Sequence, residues 1–120
     1  MSLRCGIDMI ESARIQEGLD RFGDRFLNRF FTASEQLTCA GQAHRLAARL
    51  AAKEAVAKAL GTGIGDVRWV DIEILNDTRG RPILQLHGAA AVLAADLGLT
   101  QWDVSLTHTK DMASAVVVAM

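Results

Sequence analysis

Arg49, Lys53, Glu54 and Lys58 stand in the otherwise apolar run Arg49-Leu50-Ala51-Ala52-Lys53-Glu54-Ala55-Val56-Ala57-Lys58. Projected as a helix at about 100° per residue, Leu46, Ala47, Leu50 and Ala51 make an apolar stripe with Glu54 inside it. Lys58 falls beside Glu54 one turn on, and Arg49 and Lys53 lie together at the stripe's edge. A carboxylate on a buried face is costly unless something pairs with it. An i,i+4 ion pair with Lys58 on a partly solvated helix answers that need. So does a metal ion held by Glu54, with the neighbouring cations binding phosphate. Asp8 has the same two readings, as a cap or turn residue near a strand end or as an oxygen ligand. One Asp and one Glu, completed by substrate phosphates and water, suit Mg²⁺. No His or Cys spacing suits zinc.

Two further segments carry polar groups in suggestive places. His108 ends the run Val104-Ser105-Leu106-Thr107 and precedes Thr109-Lys110, a set that suits either a structural role or contact with a phosphate. Ser105 with His108 is not a nucleophilic pair, because no nucleophile elbow and no third partner accompany them. Gly61-Thr62-Gly63-Ile64-Gly65 follows a helix rather than a strand. It is therefore a helix stop and loop, open to close approach of a ligand, and neither a P-loop nor a dinucleotide fingerprint. Arg14, Arg21, Arg25 and Arg29 share one face if their helix is continuous, which Gly18 and Gly23 make doubtful. They form either a solvated face or a local basic patch for an acidic protein.

The elements that position these residues follow from pattern. Leu3, Cys5, Ile7 and Met9 alternate with Asp8 on the other face, as in a strand, and Ser12 serves as N-cap of the next helix. Thr32-Ala33-Ser34-Glu35 is a capping box, with Phe30 or Phe31 as staple. His44 to Leu60 is a helix ended by glycine. Trp69 to Ile74 and Pro82 to His87 alternate around the turn cluster Asn76 to Gly80, predicting a hairpin. Gly88 to Leu97 is a short helix, and Trp102 to Thr107 and Ala113 to Ala119 are strands. The expected fold is α+β, one domain over 1–120 with helices packed on a small antiparallel sheet.

Composition narrows the function classes. The chain has 120 residues, half of them hydrophobic and 22% charged, which excludes disorder. Its longest apolar runs fall short of the roughly 18 residues a membrane span needs. Net charge is −1, so no basic field calls for nucleic acid. The N-terminal residues lack the apolar core of a signal peptide, and Cys5 and Cys39 show no disulfide spacing, so a cytoplasmic protein is expected.

Together the segments resemble the holo-acyl-carrier-protein synthases. Gly6-Ile7-Asp8-Met9-Ile10 with Arg14, then Arg29-Phe30-Phe31-Thr32 with Glu35, are similar to the start of that family. Arg49 through Gly63 resembles its central signature, and Trp69-Val70-Asp71-Ile72-Glu73, Gly80-Arg81-Pro82 and Ser105-Leu106-Thr107-His108 continue the likeness in order. The resemblance implies a 4'-phosphopantetheinyl transferase, homotrimeric, with active sites between subunits. Such an enzyme moves the phosphopantetheine arm of coenzyme A to a serine of apo acyl carrier protein. By that likeness Asp8 and Glu54 hold Mg²⁺, Lys58 neutralises a phosphate, and Arg49 and His108 approach the 3'-phosphate. Lys53, Thr109, Gly61 and Gly63 join the coenzyme-binding set, and Arg14, Arg21 and Arg25 dock the acidic helix of the carrier. Glu54, the region of Glu35 or a bound water would accept the serine proton.

The departures from the family pattern are Thr107, where many relatives carry Ser, and Leu50 at a commonly aromatic position. Two other function classes fit parts of the pattern. A Mg²⁺-dependent nucleotide hydrolase would use Asp8 and Glu54 but give the arginines no task. A silent trimeric module would use the arginines but leave Glu54 on an apolar stripe unexplained.

Overall fold

The computed structural model describes residues 2–62 and 64–120. Strand β1 (Arg4–Glu11) alternates as expected. Its apolar set nevertheless faces outward: Leu3 is 74% exposed, and Ile7 and Met9 are each 61% exposed. Gly6, Asp8 and Ile10 turn inward instead, onto the long helix α4 (Ala43–Leu60). The contact is so close that a Cβ on Gly6 would stand 1.9 Å from the carbonyl oxygen of Ala55.

Between β1 and α4 the chain forms three short helices, α1 (Ser12–Phe22), α2 (Asp24–Phe30) and α3 (Ala33–Cys39). Ser12 is not the N-cap: β1 runs on to Glu11, which takes the cap position, and the Ser12 amide is satisfied by the Asp111 carbonyl at 2.9 Å. The helix breaks at Gly23, whose φ of 52° is costly for other residues. Gly18 stays helical, for a Cβ there would strike the Phe26 ring at 2.4 Å as α2 folds back on α1. The basic residues are thus split, Arg14 and Arg21 on α1, Arg25 and Arg29 on α2. The capping box at α3 forms as expected. The Glu35 amide donates to Thr32 Oγ1 at 3.2 Å, and the Thr32 amide donates to Glu35 Oε1 at 2.9 Å.

The strands make two sheets where the sequence pattern suggested one. In the larger, β5 (Met112–Ala119) lies between β1 and β4 (Trp102–His108), antiparallel to both, with Asp8 opposite Ala115. In the smaller, β2 (Ile72–Asn76) pairs with β3 (Pro82–Leu86). Trp69–Asp71, expected as strand, is a single 3-10 turn, held by Asp71 accepting from the Arg68 amide and by its carbonyl accepting from the His87 amide. Helix α5 (Gly88–Asp96) follows the hairpin. Helix α4 is the common core. It lies on β1 and β5 along one side and meets α1, α3 and β2 on others, so Leu46, Ala51, Ala55 and Val56 are fully buried. Gly61, with φ 81°, ends it, and the Arg4 guanidinium donates to the Ala59 carbonyl at 3.1 Å. No helix among the described residues is long and apolar enough to cross a membrane.

Candidate active site

The close crossing of β1 over α4 places Asp8 beside the last turns of the helix. Lys58 donates to Asp8 Oδ1 at 3.2 Å and to the Ile7 carbonyl at 2.8 Å. Its partner is therefore Asp8 on the neighbouring strand. Glu54 faces Asp8 as well. Burial pushes the Glu54 pKa above its ordinary 4.5, and the Asp8 charge and the hydrogen bond between the two carboxyls add to this. Lys58 and Arg14 oppose the shift without cancelling it. With both carboxyls ionised, the buried Asp8 Oδ2 has no donor among the described residues. Two carboxyls facing each other, one with a free buried oxygen, will take up either a proton or a cation. Among the described residues no cluster of three or more His, Cys, Asp or Glu forms. The pair thus suits a hard cation that keeps most of its sites for water and phosphate.

These carboxylates lie in a cleft of about 370 Å³ whose walls include Arg14, Arg29, Phe30, Leu50 and Trp69. Trp69 packs against Phe30 with the rings tilted and their centroids 5.3 Å apart. Arg29, Phe30 and Trp69 were not singled out from sequence as cleft residues. Only the fold-back of α2 and the 3-10 turn bring them here. A second groove, between α1 and α2, is lined by Phe22, Phe26 and Phe30 with Arg25 and Arg29. Arg21 lies at its rim, 3.7 Å from Glu17 and over the Phe22 ring.

Arg49 and His108 meet in a separate cleft of about 390 Å³, together with His44, Arg45 and Asn76. Arg49 donates to Asn76 Oδ1 at 3.2 Å, while its buried Nε has no acceptor among the described residues. The His44 and His108 rings are 4.9 Å apart. Thr109 lies next to His108, and its hydroxyl accepts from the Met112 amide at 3.2 Å, closing the turn into β5. The carboxylate cleft and this basic cleft share no lining residue within one copy. Gly61 sits at the end of α4 past Lys58, and Gly63 lies outside the described residues.

Lys53 corrects the sequence expectation. It is fully buried, donating to Glu35 Oε1 at 2.7 Å and to the Trp69 and Ile72 carbonyls. The side of α4 that projects as an edge is covered by α3 and β2, so Lys53 is withdrawn from both clefts. Burial pushes its pKa down, and the charge and hydrogen bond of Glu35 push back. Glu35 is committed too: its second oxygen accepts from the Ile74 amide at 2.9 Å. It stands in no position to accept a proton from a ligand.

With this geometry established, comparison with known proteins gives the class. Residues 4–117 match the 4'-phosphopantetheinyl transferase superfamily, and the chain belongs to it. Within that class the named relatives agree. The chain is 49% identical to a holo-[acyl-carrier-protein] synthase of Herpetosiphon aurantiacus, over 96% of each chain. It is 50% identical to that of Solidesulfovibrio magneticus, over 94% of each. Among solved structures, the Helicobacter pylori holo-[acyl-carrier-protein] synthase in complex with coenzyme A superposes with a TM-score of 0.89 at 32% identity. That match covers 97% of this chain and 99% of the other.

Proposed function

We propose that this chain transfers the 4'-phosphopantetheine arm of coenzyme A to a serine of apo acyl carrier protein, releasing adenosine 3',5'-bisphosphate. The relatives named above support the reaction. The observation that carries the assignment to this site is the Asp8–Glu54 pair, with an unclaimed buried oxygen and Lys58 and Arg14 beside it. Phosphoryl transfer asks mainly for positioning and charge neutralisation, and the nucleophile here belongs to the carrier. No Ser, His or Cys nucleophile is needed in this chain.

Asp8 and Glu54 would hold Mg²⁺, which supplies charge neutralisation at the pyrophosphate when bound. Lys58, with half its side chain open to solvent, can turn to a phosphate while remaining tethered near Asp8. Arg49, His108 and Thr109 offer the 3'-phosphate a basic cleft, and Gly61, at the end of α4, would lie near the nucleotide. With Glu35 committed elsewhere, Glu54 or a water remains to accept the serine proton. We also assign a homotrimer. The outward face of β1 and β5 exposes Leu3, Ile7, Met9, Val116 and Val118, an unusual apolar surface for an isolated sheet. The family resemblance implies active sites between subunits, which would bring one copy's carboxylates together with a neighbour's basic cleft. Both cysteines are free, in keeping with a cytoplasmic enzyme that serves fatty acid synthesis.

The test is intact mass of an apo acyl carrier protein incubated with this chain, coenzyme A and Mg²⁺. A gain of one phosphopantetheine arm, abolished by chelator, is expected. Coenzyme A consumed with no change in carrier mass would replace this reading with hydrolysis.

Arg14, Arg21 and Arg25 are assigned to the acidic carrier. Arg14 also faces Glu54, so Arg25→Glu separates docking from chemistry more cleanly. It is expected to raise the KM for carrier roughly tenfold, with a weakened salt dependence and unchanged coenzyme A binding. Equal loss of both would remove Arg25 from the docking surface.

A further inference from the structure

Lys53 sits directly before Glu54 and yet touches neither cleft, so its part in the site has to be indirect. Its buried ammonium joins three segments at one point: the start of α3 through Glu35, the 3-10 turn through the Trp69 carbonyl, and the start of β2 through the Ile72 carbonyl. Glu35 in turn accepts from the Thr32 and Ile74 amides. The Thr32 hydroxyl donates to Glu73, and Glu73 meets His87 Nε2 at 3.0 Å. Burial pushes the Glu73 pKa up, but the bonds from Thr32 and His87 outweigh it and hold the group below its ordinary value. The network thus contains two buried carboxylates around one buried ammonium, every polar end of which has a partner. Trp69 and the Phe30 ring tilted against it are walls of the carboxylate cleft.

We infer that Lys53 is a positioning residue for the transfer reaction: by tethering the Trp69 carbonyl to the helix that carries Glu54, it fixes the aromatic wall relative to the two carboxylates. This inference rests on the function proposed above. A buried tether of this kind acts on the reacting geometry and adds no contact to the coenzyme. Its removal therefore falls on turnover more than on coenzyme affinity, since small misplacements away from the chemistry can cost roughly ten- to hundredfold in rate.

The chain has only two tryptophans, Trp69 and Trp102, and its lysines are Lys53, Lys58 and Lys110, which makes two readouts specific. In a Trp102→Phe background, Lys53→Met should lower kcat roughly tenfold or more with the KM for coenzyme A little changed. Trp69 emission should shift to the red and become more open to acrylamide. A KM for coenzyme A raised tenfold with unchanged emission would make Lys53 a coenzyme ligand and overturn the inference. Wild-type kcat and emission in a folded but less stable variant would reduce Lys53 to a purely structural group. Glu35→Gln, which keeps the shape and weakens the tether, should show the same signature in smaller degree.

Reductive methylation of the unaltered protein gives an independent reading, whichever variants fold. Lys53 should resist the reagent with and without coenzyme A, whereas Lys58 and Lys110 should react. Labelling of Lys53 that coenzyme A suppresses would overturn the inference. Failure of coenzyme A to protect Lys58 would count against the proposed function instead, leaving the placement of Lys53 intact.

Discussion

Glu54→Gln should lower turnover by orders of magnitude and, in the same molecule, raise stability at neutral pH. Loss of one site carboxylate is expected to cost roughly a hundredfold or more in rate, as for other groups that stabilise developing charge. Asp8→Ala should match it. The stability gain follows from the raised pKa of Glu54, caused by burial and by the facing Asp8. Between the ordinary 4.5 and the raised folded value, the folded protein holds more proton than the unfolded chain. Stability therefore falls as pH rises through that window, and the loss is complete above it. Gln carries no charge at any pH and escapes the loss. Thermal unfolding in chelator should show Glu54→Gln above the unaltered protein at pH 7, with the gap narrowing as pH falls through the window. Adding Mg²⁺ should narrow it as well, by stabilising the unaltered protein alone. A variant that melts lower than its parent at neutral pH, or that turns over at a near-normal rate, would remove Glu54 from its place in the site.

Gly6→Ala is expected to damage the fold and the chemistry together. The added methyl would lie 1.9 Å from the Ala55 carbonyl oxygen, and a backbone atom in mid-helix has little freedom to withdraw. Overpacking of this kind costs about 1–3 kcal/mol and sometimes more. The strand has to lift from α4, and Asp8, two residues on along the same face, lifts with it from Glu54 and Lys58. Turnover should then fall well beyond the fraction of protein unfolded, at temperatures where the variant is still folded by circular dichroism. A melting temperature and rate like those of the parent would show that β1 has room to spare.

Much of this fold was legible in the chain. Patterns of two and of three to four residues located the strands and helices, and the Thr32–Glu35 box formed as its spacing required. The misplaced cations of the long helix have one physical source. Helix α4 was projected as if it had a single buried stripe, but strands cover one side while α3 and β2 cover another. Lys53 and Arg49, which a one-sided projection leaves at an edge, are consequently buried. Trp69 to Asp71 alternates like a strand yet turns, because the Asp71 side chain caps the Arg68 amide. In the site, helical spacing accounts only for Lys58 standing beside Glu54; that Asp8 joins them was implied by the family resemblance alone, and Lys58 bonds to Asp8 across the sequence. Phe30, Trp69 and His44 carry no local signal. Their places depend on how distant segments fold back.

Strand β1 presents alternate residues to two different environments, Gly6 and Asp8 to the helix and Ile7 and Met9 to the outside. Under the trimeric arrangement proposed above, residues that recruit a neighbour would be interleaved with the residue proposed to meet the cation. A slip of one position in the pairing with β5 would exchange the two sets at a stroke. Dilution acts on the same strand by mass action. As neighbours dissociate, the support for Ile7 and Met9 is lost from the ribbon that holds Asp8, so the rate per copy should fall with concentration. In such a strand the assembly equilibrium and the working state of the carboxylates are linked, and a chemical denaturant would be expected to silence the protein before it unfolds it.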